Sequence, residues 1–171
     1  MEAPKTLLLS FLLMWSSLSF GQSLISGLGT TYGSDIEGIG INVREYYFFN
    51  HHVCFGPEAS FFPNHKVGEY DKSLIELNFT GHYIFELNEH LGIYPLTGLN
   101  YSIEKESMHN ETKTVDEFGL NIGMGVHYKV KSLFPYIEYK YITGGLSQHV
   151  YSLGILFSLS KNKEEKHHSE K

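Results

Sequence analysis

The sequence lacks most of what staples a small exported domain or carries a chain through a membrane as a helix. It has one cysteine, Cys54, so no disulfide closes within the chain. Cys54 also lies too deep in the chain to be a lipoprotein's N-terminal cysteine, and it reads as a small buried filler. Proline is scarce, at 5 residues, and there is a single tryptophan. After Gly21 no segment approaches the run of about 18 apolar residues that a membrane helix needs. Positive charge is short as well: 13 Lys and Arg against 19 Asp and Glu leave a net charge of -6, with no basic face for nucleic acid. The one charge-rich run, residues 161–171 (KNKEEKHHSEK), mixes its signs and is expected to be a solvated, disordered tail.

What is abundant is aromatic side chains and glycine, with 12 Tyr, 12 Phe and 17 Gly, a mixture suited to long strands and tight turns. The mean hydropathy of -0.19 looks that of a soluble protein. In a membrane barrel, however, only alternate residues meet lipid, so the average stays near neutral. The chain opens as an export signal: Lys5, then the short apolar run Leu7 to Trp15, then small residues at Ser19 and Gly21. Residues 1–21 are therefore expected to be a cleaved signal peptide, leaving Gln22 first.

The stretch Ser73 to Leu87 (SLIELNFTGHYIFEL) organises the rest. From Ile75, every second residue suits an oily surface, and those between are mostly polar, which is the period of a strand with two opposite faces. Its length suits the 9–11 residues or so of a transmembrane strand better than the usual 5–6 or so of a soluble one. Similar stretches recur at 24–32, 38–49, 53–62, 91–103, 118–130, 133–142 and 149–159. Tight turns at 50–52, 88–90 and 131–132 alternate with long polar segments at 63–72 and 104–117, although the connections near Ser34 and Gly145 are short. The expected fold is all-β, an eight-stranded antiparallel up-and-down transmembrane β-barrel over residues 22–160. The short turns and both termini then lie in the periplasm.

Lipid must meet the apolar face. Turning Glu76, Asn78, Thr80, His82 and Glu86 outward would put several polar groups into hydrocarbon, where a charge at mid-depth costs up to about 2–4 kcal/mol and a carboxylate less. Tyr46, Tyr47, Phe48, Phe49, Phe61, Phe62, Tyr101, Tyr128 and Tyr141 gather near strand ends, where interfacial aromatic girdles sit. The alternative is a soluble lipocalin-like barrel, with the apolar face turned inward around a ligand. The hairpin cadence and fragments such as VCFGPEASFF and LGIYPLTGLNY resemble the small outer-membrane β-barrel proteins of the OmpA/OmpX type (the outer membrane protein beta-barrel domain family) over the mature chain to Ser160. That resemblance implies the outer membrane of a diderm bacterium, contact with its lipid, delivery by the barrel-insertion machinery and a monomeric barrel. One departure is that Phe157 is followed by Ser-Leu-Ser and the charged tail rather than ending the chain with an aromatic residue.

An eight-stranded interior is just wide enough to be filled by side chains. Folding the second hairpin about His51 sets Arg44 opposite Glu58, both inward, and Glu138 and Lys140 face inward on the seventh strand. These four are expected to form an internal ion network, with His82, His127, Tyr94 and Asn100 as polar neighbours. Glu45 resists the scheme, since strict alternation puts it on the lipid face. A bulge near Arg44-Glu45 would re-phase the strand, turning Tyr46 and Phe48 outward and undoing the Arg44–Glu58 pairing. No catalytic set stands out: Ser152 and His149 face opposite sides, and Ser147 and His149 share a face without an acid. The ten histidines lack a spacing that gathers metal ligands, and no cofactor is expected. Three functional classes follow: a structural or surface-interaction barrel, a narrow pore for small solutes, or the soluble ligand binder. For the first, residues 104–116 are the exposed contact loop for an extracellular ligand, with Glu104, Met108, His109, Asn110 and Lys113 as candidate contacts.

Overall fold

The computed structural model describes residues 24–108 and 111–158. The segments read as signal peptide and charged tail lie outside these residues, as do His109 and Asn110. Eight strands follow one another: β1 Leu24–Gly33, β2 Gly38–Phe48, β3 Val53–Val67, β4 Tyr70–Tyr83, β5 Leu91–Met108, β6 Glu111–Tyr128, β7 Leu133–Ile142 and β8 Gln148–Ser158. After a break at Ile84, Phe85–Glu86 continues the line of β4 against β5. The break has a local cause, because Ile84 N donates to His52 O at 2.7 Å, in the neighbouring turn. Each strand pairs antiparallel with the next, and β1 pairs with β8, which closes the barrel and leaves no edge through its body.

The strands climb as they go round. From Lys140, pairing one way passes Gly123, Leu96, His82 and Cys54 to reach Phe48. The other way passes Val150 and Gly33 to reach Gly38. The two routes meet β2 ten residues apart, from Gly38 to Phe48, and this offset is the barrel's shear.

Alternation sorts the faces as the composition of the strands requires. On β4, Ile75, Leu77, Phe79 and Tyr83 are exposed, while Glu76, Asn78, Thr80 and His82 are buried. On β6, Phe118, Leu120, Ile122 and Met124 are exposed, and on β8 so are Tyr151, Leu153 and Ile155. From Ile75 to Leu87, at about 3.3 Å per residue and a tilt near 40°, the apolar face stands about 30 Å tall, the thickness of a bilayer's hydrocarbon. An interior holding buried Arg, Lys and Glu beneath an apolar exterior is the reverse of a lipocalin-like barrel. The soluble alternative fails on that inversion.

Two sequence expectations need correction, and one open alternative is settled. The polar segments 63–72 and 104–117 are mostly strand: β3 and β4 run up to a turn at Gly68 (φ 64°), and β5 and β6 pair as far as Met108 and Glu111. Outside the membrane both faces of a hairpin meet water, so no apolar alternation marks it. The register of β2 against β3 is the same at Arg44–Glu58 and at Tyr47–Phe55, so no bulge lies near Glu45. Instead Gly56 admits the Glu45 carbonyl where a Cβ would collide with it. Glu45 stays on the outer face, half-buried. The register shift falls between Phe62 and His65, where Pro63 has no N–H to give the ladder. Finally, Tyr46, Phe48 and Phe62 point into the barrel rather than into a girdle. The outer aromatic contacts are instead Tyr47–Phe55 and Tyr83–Phe85 towards the short turns, and Tyr101–Phe118 and Tyr139–Tyr151 towards the long hairpins.

Candidate functional site

The interior is stacked in layers, each set by the inward residues that alternation supplies at that height. At the end of the long hairpins the mouth is capped by Ile36, Phe62 and Leu74, all buried. Ile36 comes from the turn between β1 and β2, and its carbonyl faces Nε2 of His65 at 2.7 Å. Below the cap is an amide and hydroxyl layer. Asn100 and Asn121 both donate to Asn78 Oδ1, at 2.8 and 2.9 Å, and Gln148 donates to Glu76 at 2.6 Å.

The mid-barrel layer is ionic. Arg44, the only arginine in the sequence, donates from Nη1 to Glu138 Oε2 at 2.9 Å and from Nε to Asn42 Oδ1 at 2.7 Å. Its guanidinium also lies 4.3 Å from the Tyr136 ring centroid. Lys140 donates to Glu58 Oε1. Glu58 further accepts from Asn42 Nδ2 at 3.1 Å and from the Tyr46 hydroxyl at 3.2 Å. Arg44 and Glu58 face each other across the ladder, yet their nearest ion-pair distance is 3.6 Å. The close pairs therefore cross the lumen, Arg44 to Glu138 and Lys140 to Glu58. All four side chains are essentially dry. Such pairs persist because each charge meets an opposite charge, and Arg44, Glu58 and Glu138 also bond to Asn42, Tyr46 or Tyr94.

The two histidines expected beside the network sit lower. His82 stacks at 4.9 Å on Tyr94, whose hydroxyl donates to Glu138 at 3.1 Å. His127 stacks on the other side, 5.9 Å from Tyr94, and meets Phe134 edge-on at 5.9 Å. With Tyr46, 4.5 Å from His82, these rings form an aromatic row beneath the ions. Cys54 packs among Tyr46, Ile84, Tyr94 and Leu96. Of the serine and histidine weighed for catalysis, Ser152 donates to Thr31 inside the lumen, while His149 is exposed beside Tyr139 and Tyr141.

The second candidate site is the sheet beyond the membrane. Residues 65–67 of β3 pair with 70–72 of β4, which continues onto 106–107 of β5, which pairs with β6. The result is a four-stranded extension rather than separate loops. Glu104, expected as an exposed contact, is buried and faces Lys72 at 3.5 Å, and Glu106 meets the same ammonium at 2.7 Å. Burial works against the Lys72 ammonium, but the Glu106 hydrogen bond and the acid charges hold it above its ordinary range. The same hydrogen bond holds Glu106 below its own, and burial pushes Glu104 up. Met108 is half-buried and Lys113 exposed. Strand β7 pairs with β6 only from Asn121 downward, so among the described residues the backbone of β6 from Glu111 to Asp116 has no strand on that side.

Neither a family profile nor a curated protein matches the chain. Solved structures do. The attachment invasion locus protein Ail of Yersinia pestis superposes with a TM-score of 0.60 at 17% identity, covering 80% of this chain and 97% of Ail. The N-terminal β-barrel domain of Pseudomonas aeruginosa OprF gives 0.63 at 18%, covering 80% and 96%. Neisserial surface protein A gives 0.61 at 14%, covering 80% and 95%. The fold is that of the small outer-membrane eight-stranded barrels.

Proposed function

We propose that this chain is an integral outer-membrane protein with a closed lumen, and that its working surface is the sheet carried beyond the membrane by β3 to β6. The observation that carries the reading is the free edge of β6 from Glu111 to Asp116, outside the membrane and held rigid by pairing on its other side. Such an edge presents unsatisfied N–H and C=O groups in a row, the template that an extended segment of a partner protein completes as an added strand. Ail has been solved with the heparin analogue sucrose octasulfate. In this chain the β3 to β6 sheet carries Glu69, Asp71, Glu104, Glu106, Glu111 and Asp116 among its lysines, which favours a polypeptide over a sulfated sugar. The pore reading is weaker, because the ionic layer and the Ile36 cap both cross the lumen.

A photo-crosslinking residue at Lys113 on intact cells tests the reading, with one at Glu89 in a short turn as the reference. The expected result is an adduct at position 113 that disappears when Thr114→Pro removes an edge N–H, while the barrel still migrates as folded. Equal adducts with and without Thr114→Pro would refute edge pairing.

A further inference from the structure

The lumen is not filled to its lower end. Between the aromatic row and the short turns lies a cavity of about 700 Å³, open at that end. Its inner end is closed by Tyr94 and the Arg44–Glu138 pair above it, so it is a blind tube rather than a passage. Its walls combine an apolar strip, from Ile25, Phe48, Ile84 and Leu156, with the polar rings of His82 and His127, and its roof is the face of the stacked rings. Charges appear only around the mouth. Lys129 and Lys131 stand at the β6–β7 turn, with Glu86 and Glu89 at the β4–β5 turn.

This arrangement has the size of a small-molecule site, with an apolar strip, a few polar rings and charges at one end. An eight-stranded interior is just wide enough to be filled by side chains or to hold one small ligand, and a single extended alkyl chain fits along its axis. Water against the Ile25, Phe48, Ile84 and Leu156 strip lacks hydrogen-bond partners, and a hydrocarbon tail laid along that strip replaces it favourably. The lysines at the mouth favour an anionic head that stays outside, with the acids on the neighbouring turn, where the His90 carbonyl accepts from Lys129 N at 2.6 Å, confining that head to the lysine side. With the short turns in the periplasm, the mouth opens at the headgroup level of the inner leaflet, where such molecules dissolve.

We propose that this vestibule binds one single-chain amphiphile with an anionic head, a fatty acid or a lysophospholipid, tail inward and head against Lys129 and Lys131. The proposal shares only the membrane placement with the reading of the outer sheet. Failure of the edge-pairing test leaves it standing.

The test uses the protein in nanodiscs of diacyl phospholipid, free of detergent, with Phe134→Trp as reporter. The sequence's one tryptophan, Trp15, falls in the segment expected to be removed, so the reporter stands alone. A chain-brominated fatty acid should quench it saturably, with about one ligand per barrel. Quenching of Leu153→Trp on the lipid face should instead rise in proportion to the amount in the bilayer. Lys129→Glu with Lys131→Glu should weaken saturable binding about tenfold, as the loss of two rim ion pairs predicts, and leave a brominated alcohol of the same length unaffected. Displacement by unlabelled fatty acid alone assigns a carboxylate head, displacement by lysophosphatidylglycerol alone a phosphodiester, and either supports the site. If Phe134→Trp does not fold, Phe48→Trp reads the same wall. Quenching that tracks Leu153→Trp without saturating would overturn the proposal. So would saturable binding indifferent to both the head and the lysine substitutions.

Discussion

Glu58 is the hinge of the ionic layer, and Glu58→Ala tests it most sharply. The side chains of Glu58 and Lys140 are each 1% exposed and that of Arg44 is 0% exposed. Removing the carboxylate leaves Arg44 with Glu138, but among the described residues Lys140 has no second acid in ion-pair contact. Asn42 keeps Ser60 as an acceptor at 3.0 Å, so the loss is dominated by the stranded ammonium. Breaking a buried pair from one side costs roughly 3–5 kcal/mol. With a urea dependence of about 2 kcal/mol per molar, the unfolding midpoint in liposomes should fall by about 2 M. Glu58→Ala with Lys140→Met removes the stranded charge, and should recover most of the loss because a buried ion pair gains little over apolar packing. A single-variant loss below about 0.5 kcal/mol would mean that the layer is wet. A double variant no better than the single would mean that Lys140 is not the residue left stranded.

Other consequences are smaller or concern topology. Glu104→Ala, silent if that residue lay in an exposed loop, should lower stability by about 0.5–1 kcal/mol in the same urea titration, the scale of a partly exposed pair. Glu45→Leu should raise stability by up to about 1 kcal/mol, since it removes a carboxylate from the lipid face near the membrane boundary; a loss would show that Glu45 has an unseen partner. In a Cys54→Ser background, a membrane-impermeant thiol reagent on whole cells should label a cysteine placed at Lys113 and not one at Ser132, and the opposite pattern would invert the barrel. In planar bilayers the protein should show no steady conductance, and Ile36→Ser should not create one, because the ionic layer still blocks the lumen. A large steady current from the unmodified protein would promote the pore reading.

Much of the architecture is written in local order. The two faces of β4, β6 and β8 follow from a period of two, and Arg44 opposite Glu58 follows from counting back from the turn at His51. What lies outside local order was not legible. Which acid each cation grips depends on the shear, since Lys140 reaches Glu58 and Arg44 reaches Glu138 only once β2, β3 and β7 stand around one axis. His127 has the expected face but the wrong height for the ions, and height is not encoded by alternation. The hairpin extensions look like loops in the sequence because a strand wet on both faces carries no apolar signal. Ile36 sits alone in a polar turn, and nothing in Gly33-Ser-Asp-Ile-Glu marks it as a cap.

The central claim is that the apolar face meets lipid, and fractionation of cells carrying the mature chain tests it most directly. The protein should stay in the outer-membrane pellet after carbonate washing and migrate faster unboiled than boiled on a detergent gel, as a closed barrel does. Recovery in the soluble periplasmic fraction, with no shift on boiling, would contradict the account.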